Sequence, residues 1–236
     1  MKDPIKNFVN ALYPKGSITQ YFGENKELYS KSVCYPPPTG CLQGHNGIDI
    51  VAPWGTPIMC VEAGKVVEAR SSSDGFGRDV RILSPTDDPH IFREWIYAHL
   101  SSYDVKIGDS VDTGQKFCNM GNTGFVVSGS TPYWKYNPYA GTHLHLGVRN
   151  VQIFDVMKTW NISYPSGERG TIVNYNNGFF GAVDWIPLYI ASKLEEIKVI
   201  IEAEPIATST PQGQGTLTLI STLNSVINLL RKIFSD

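Results

Sequence analysis

At 236 residues, with 42% hydrophobic and 18% charged, the chain is long enough for one sizeable core with length left over. A formal net charge of −2 excludes the basic surplus that draws a protein to nucleic acid or to an anionic membrane. The 22 glycines and 15 prolines, set among 12 Tyr, 10 Phe and five Trp, favour many turns between short strands.

The chain opens on Met1-Lys2-Asp3-Pro4, without an apolar run long enough for a secretory signal. No stretch reaches the ~18 consecutive apolar residues of a transmembrane helix. If the protein works outside the cytoplasm, the expectation is delivery by a pore, by a virion, or through a leader already removed. Residues 1–15 read as a short leader, with Phe8, Val9, Leu12 and Tyr13 at helical spacing. Cys34 and Cys41 bracket the stiff run Tyr35-Pro36-Pro37-Pro38-Thr39-Gly40 and are spaced for a disulfide in an oxidising compartment, which the sequence leaves open. Cys60 and Cys118 sit in apolar runs and read as buried small hydrophobes; no Cys-x-x-Cys pair offers a cysteine zinc cluster.

Over residues 16–150, runs such as Lys65-Val66-Val67-Glu68-Ala69, Val80-Arg81-Ile82-Leu83 and Glu94-Trp95-Ile96-Tyr97 alternate with glycine turns. This predicts a mainly β protein: an antiparallel sandwich or barrel-like core with no helix of any length. Residues 151–201 are mixed and are expected to pack on that core, with a helix at 191–200. The stretch 202–216 is a linker by composition. Residues 217–236, with Leu219, Leu223, Val226, Leu230 and Ile233 on one stripe, predict a terminal amphipathic helix. It either folds back or serves self-association or attachment to an envelope or virion.

Four of the five histidines fall in patterned positions. If Gly44-His45-Asn46-Gly47-Ile48-Asp49-Ile50 is extended, His45, Gly47 and Asp49 share one face, with Ile48 and Ile50 on the other. The intervening glycine then leaves room for an ion. His143 and His145 likewise share a face around Leu144, which fits either a metal ligand with a partner or a polar pair on an exposed sheet. His99 ends a β-type run, where a lone histidine is more often structural. His90, in a polar turn, is assigned no role.

In this order the motifs resemble the lysostaphin/LytM-type zinc endopeptidases. The resemblance is carried by His45 to Asp49 with the following Ala52-Pro53-Trp54-Gly55-Thr56-Pro57. It continues through Tyr97-Ala98-His99-Leu100-Ser101, Gly108-Asp109, Gly114-Gln115, Gly121-Asn122-Thr123-Gly124 and His143-Leu144-His145, and covers roughly 16–150. It implies that His45, Asp49 and His145 bind one Zn²⁺, leaving an open fourth position. His143 is then the general base, and His99 orients the nucleophile and stabilises the oxyanion. It also implies a bacterial cell-wall substrate, with hydrolysis of amide bonds in peptidoglycan stems or cross-bridges. No His-Glu-x-x-His is present to supply a glutamate base, and histidine, titrating near neutrality, is the natural substitute.

The chain departs from the family in the long stretch 125–140, whose aromatics, Tyr133, Trp134, Tyr136 and Tyr139 among them, either wall the substrate groove or pack on their own surface loop. The Cys34–Cys41 loop also looks inserted. A non-catalytic wall-binding or virion protein keeping the fold is the rival reading, although no ligand or base is missing. A biotinyl or lipoyl carrier needs a lysine at a hairpin tip, and neither Met59 nor Met120 has one beside it. Lacking an export signal, the chain reads first as a phage endolysin or virion-associated wall hydrolase.

Overall fold

The structure is a computed structural model that describes residues 16–35, 40–128, 131–153 and 161–185. The predicted leader, linker and terminal helix, and the helix predicted at 191–200, lie outside the described residues. In chain order the elements are β1 Ser17–Gln20, α1 Lys26–Ser32, β2 Cys34–Tyr35, β3 Gly40–Cys41, β4 Ile48–Val51, β5 Pro57–Met59, β6 Gly64–Arg70 and β7 Asp79–Pro85. There follow β8 Ile91–Ala98, β9 Leu100–Tyr103, β10 Ser110–Val111, β11 Lys116–Met120, β12 Val127–Ser128, β13 Thr131–Pro132, β14 Leu144–Ile153, β15 Ile162–Ser163 and β16 Arg169–Ile172. Among the described residues a 3-10 turn occupies Tyr133–Lys135. The expected antiparallel β architecture is what forms.

Nine strands make the main sheet, in the order β1-β4-β14-β8-β7-β6-β10, with β16 beside β14 and β15 beside β16. A smaller sheet, β5-β11-β9, lies apart from it. β14 is the axis: it pairs with β8 from His145 to Gln152, and on its other edge with β4 and then β16. Residues directly opposite one another in a ladder point to the same side. Ile48, Ile50, Leu144, Leu146, Val148, Trp95, Tyr97, Val80 and Ile82 therefore share one face, and all are buried. The Tyr97 ring meets Phe117 of β11 edge-to-face at 4.8 Å, and its hydroxyl accepts the Val61 amide at 2.9 Å, joining the two sheets. Each such large apolar side chain contributes about 1.5–3 kcal/mol when fully buried.

The opposite face of the main sheet is polar where the functional residues sit. Asp49 and His145 come first, followed by an ion network in which buried Glu94 is held by Arg149 and Arg81. Burial pushes the Glu94 carboxyl up, but the two arginines outweigh it and hold the group below its ordinary value. Farther along, Val67, Leu83 and Tyr164 close a small second cluster. Tyr164 follows β15, so Ile162 and Tyr164 cover this end of the sheet.

One helix appears where none was expected. α1 is seven residues long and buries none of them, so it leaves no apolar period in the sequence. Cys34 and Cys41 pair across the β2–β3 hairpin and are joined by a disulfide, while Cys60 and Cys118 are buried free thiols.

Candidate metal centre

Strand register brings the first two site residues together. Asp49 of β4 lies directly opposite His145 of β14, and a cross-strand pair on one face places side chains in contact. His45 reaches the same point by another route. β4 begins only at Ile48, so His45 lies in the preceding loop rather than in a strand. The turn after β1 holds it there: the Gly23 amide donates to the His45 carbonyl and the His45 amide to the Glu24 carbonyl, both at 2.8 Å. His45 Nε2 stands 2.9 Å from His145 Nδ1 and 3.1 Å from Asp49 Oδ1, and His145 Nδ1 is 3.1 Å from that same oxygen. His45 Nδ1 faces the Tyr21 carbonyl at 3.3 Å, so it carries the proton and Nε2 presents its lone pair to the cluster.

Gly47 does not leave its space to an ion, as the extended reading supposed. The His145 ring fills it: a Cβ on Gly47 would fall 2.8 Å from His145 Cε1 and 2.9 Å from Nε2. On its other side the ring stacks on Phe76 at 5.2 Å. Sequence reasoning passed over Phe76, although an aromatic set between Gly75 and Gly77 in a turn is a usable signal, since such a ring needs a surface to cover.

The remaining two histidines stand beside this trio. His143 pairs with Gly121 just before β14, and its Nδ1 donates to the Gly141 carbonyl at 2.7 Å, which leaves Nε2 3.8 Å from Asp49 Oδ2. His99 turns the chain from β8 into β9 at φ 61°, a conformation costing a non-glycine residue roughly 1–2 kcal/mol. Its amide donates to the Phe76 carbonyl, and its Nδ1 donates to the Thr123 carbonyl at 2.8 Å. The His99 and His143 rings lie 4.7 Å apart. Burial, and then the neighbouring His143 and His145, hold His99 well below the ordinary histidine range. Burial likewise lowers His145, against the pull of Asp49. For Asp49 burial acts upward, but the adjoining imidazoles of His145, His45 and His143 prevail and hold its carboxyl well below the usual carboxylate range. His90 lies in the turn before β8 and does not line the site.

The trio opens into a groove of about 910 Å³. Of the four aromatics named as candidates to wall it, Tyr133 and Tyr139 line it while Trp134 and Tyr136 do not. Trp134 instead braces its own loop, its indole N–H donating to the Gly124 carbonyl at 3.0 Å. Trp54, which was not foreseen, and Phe125, at the start of the 125–140 stretch, also line the groove and are 48% and 54% exposed. Tyr29 of α1 was also missed. Its ring stacks on His45 at 5.6 Å, and burial together with the Asp49 charge pushes its hydroxyl up to about 12.

Two imidazoles and one carboxylate converging in a groove of the β fold make a donor set able to hold a metal ion. Residues 43–156 match Peptidase family M23, in keeping with the resemblance to the lysostaphin/LytM type. The chain is 38% identical over 102 residues to lysostaphin of Staphylococcus simulans, covering 42% of this chain and 20% of the relative. It is 36% identical over 102 residues to glycyl-glycine endopeptidase ALE-1 of Staphylococcus capitis (42% and 27%). It is 34% identical over 117 residues to peptidoglycan DD-endopeptidase ShyC of Vibrio cholerae serotype O1 (50% and 25%). The chain thus spans about a fifth to a quarter of the length of these relatives.

Proposed function

We propose that this domain is a zinc-dependent endopeptidase that hydrolyses amide bonds in bacterial peptidoglycan. The observation that carries this reading is the His45–Asp49–His145 trio, with two further histidines whose Nε2 atoms are left uncommitted at the groove. The donor set fits zinc. Bonds of roughly 2.0–2.1 Å in a tetrahedron separate ligand atoms by about 3.3 Å, so the trio opens by only a few tenths of an ångström. Two lone pairs and an anion in mutual contact also call for a cation. Bound zinc supplies Lewis acidity, which acidifies water and polarises a carbonyl.

The protein's own residues supply the rest. His143, its Nδ1 proton tied to Gly141, presents Nε2 as the base that takes a proton from the attacking water. His99, tied in the same way to Thr123, accepts at Nε2 and so orients that water. Stabilising an oxyanion from the same nitrogen requires a second proton, which burial and two neighbouring imidazoles oppose. The orienting role is the better supported one.

The groove favours an uncharged peptide segment. Among the described residues that line it, Asp49 is the only carboxylate and there is no lysine or arginine. The similarity to a glycyl-glycine endopeptidase supports a cross-bridge of small neutral residues as the substrate. The site of action is then the cell wall. Among the described residues no helix is long and apolar enough to cross a membrane. The pattern of 217–236 supports self-association or attachment, and deleting it should change the mass in solution. The central test is zinc content and wall clearing by the full chain, with mass spectrometry of fragments from defined walls. His143→Ala should keep its zinc and lose clearing; full activity in that variant would overturn the assignment of the base.

A further inference from the structure

β1 carries a bulge whose consequence reaches the site. Ile18 stands opposite Ile50 and faces the core, and strict alternation would send Gln20 the same way. The register shifts between Ile18 and Gln20, which places Gln20 opposite Asp49 and turns its side chain into the groove. Bulges beside active sites commonly re-aim a side chain in this manner. The Tyr29 hydroxyl, on a ring stacked against His45, reaches Gln20 Oε1 at 3.5 Å. With Oε1 as acceptor, the amide presents Nε2 as a donor, and this buried nitrogen has no hydrogen-bond partner in the protein. Buried polar groups left unmet are rare and call for an explanation.

The sheet order β1-β4-β14-β8 sets Gln20 on the far side of Asp49 from His145 and from His99, which follows β8. A peptide lying across the trio therefore has histidines on one side and an amide donor on the other. A neutral peptide of small residues offers little besides backbone N–H and C=O groups, so a site that holds it needs such a donor. The terminal torsion of glutamine is soft, which lets the amide turn toward a bound carbonyl.

We infer that Gln20 contacts the substrate, its amide N–H donating to a backbone carbonyl of the peptide in the groove, and that Tyr29 is the positioning residue that holds this amide. The inference rests on the groove being a peptide site.

The test uses the full zinc-loaded chain and acetyl-pentaglycine amide as an uncharged probe. Titrating the probe should move the Gln20 side-chain amide resonances in ¹⁵N-edited spectra. Gln20→Met, which keeps length and loses the donor, should lower kcat/KM on the probe about tenfold, chiefly through KM, at unchanged zinc content. Tyr29→Phe should lower it by a smaller factor in the same direction. Gln20→Met within twofold of wild type at full zinc content would overturn the inference. So would loss of zinc in that variant, which marks a structural role, or Gln20 resonances that stay still while others in the groove move. Should the wild type cleave neither probe nor wall while the probe still moves the Gln20 resonances, the endopeptidase reading falls and the Gln20 contact stands.

Discussion

Replacing Gly47 by alanine puts a methyl group where the His145 ring now lies. The new carbon would sit 2.7 Å from the Leu146 carbonyl oxygen and 2.8 and 2.9 Å from His145 Cε1 and Nε2. Ordinary contact begins near 3.4 Å, so the ring or the start of β14 must retreat by about 0.5 Å or more. Overpacking of this kind costs about 1–3 kcal/mol, which should appear in urea unfolding of the chelator-treated protein. Metal ligation tolerates only about 0.2 Å of misplacement, so zinc affinity measured by chelator competition should fall about tenfold or more. Gly147→Ala is the graded companion, because its Cβ would meet Asn46 O at 3.3 Å and His145 Nε2 at 3.4 Å. That variant should cost less than about 1 kcal/mol and hold zinc nearly as well. Wild-type zinc affinity in Gly47→Ala, or greater damage from Gly147→Ala, would refute the packing that seats His145.

Other outcomes follow from the same geometry. His143→Gln should lower kcat by about 10²–10⁴ with zinc retained, as expected for loss of a general base; metal analysis beside kinetics checks it. Asp49→Ala should weaken zinc by well over the roughly 10–100-fold that follows loss of an outer hydrogen bond. Without metal, stability should fall as pH drops below 6.5. The folded-state pKa values of His99 and His145 are depressed, so the unfolded chain takes up protons there that the fold refuses. Each such group contributes at most about 1.4 kcal/mol per pH unit within its window, and unfolding midpoints equal at pH 7.5 and 5.5 would contradict this. Replacing both Cys34 and Cys41 by serine should cost about 2–3 kcal/mol by loop-closure entropy, read as a lower midpoint than in the oxidised wild type.

Much of the site was legible from local chemistry. Alternating apolar residues around Asp49 and His145 fixed which side chains face away from the core, because strand side chains alternate whatever the wider fold. The glycine-punctuated β runs defined the fold class for the same reason. His45 was placed in the right company for an incomplete reason: it sits before the strand, and backbone bonds to the 21–25 turn put it there, a pairing that no local pattern reveals.

What the sequence determined alone was composition of the site: two imidazoles, a carboxylate and two spare histidines on strand-like segments. The tertiary structure decided their arrangement, since His45 and His145 meet across 100 residues through the pairing of β4 with β14. It alone also decided the fate of Gln20, Tyr29 and Phe76, and which aromatics reach the groove. Periodicity carries information about the face of a strand, whereas a bulge, a stacked ring or a loop seated on a distant turn exists only once remote segments have packed together.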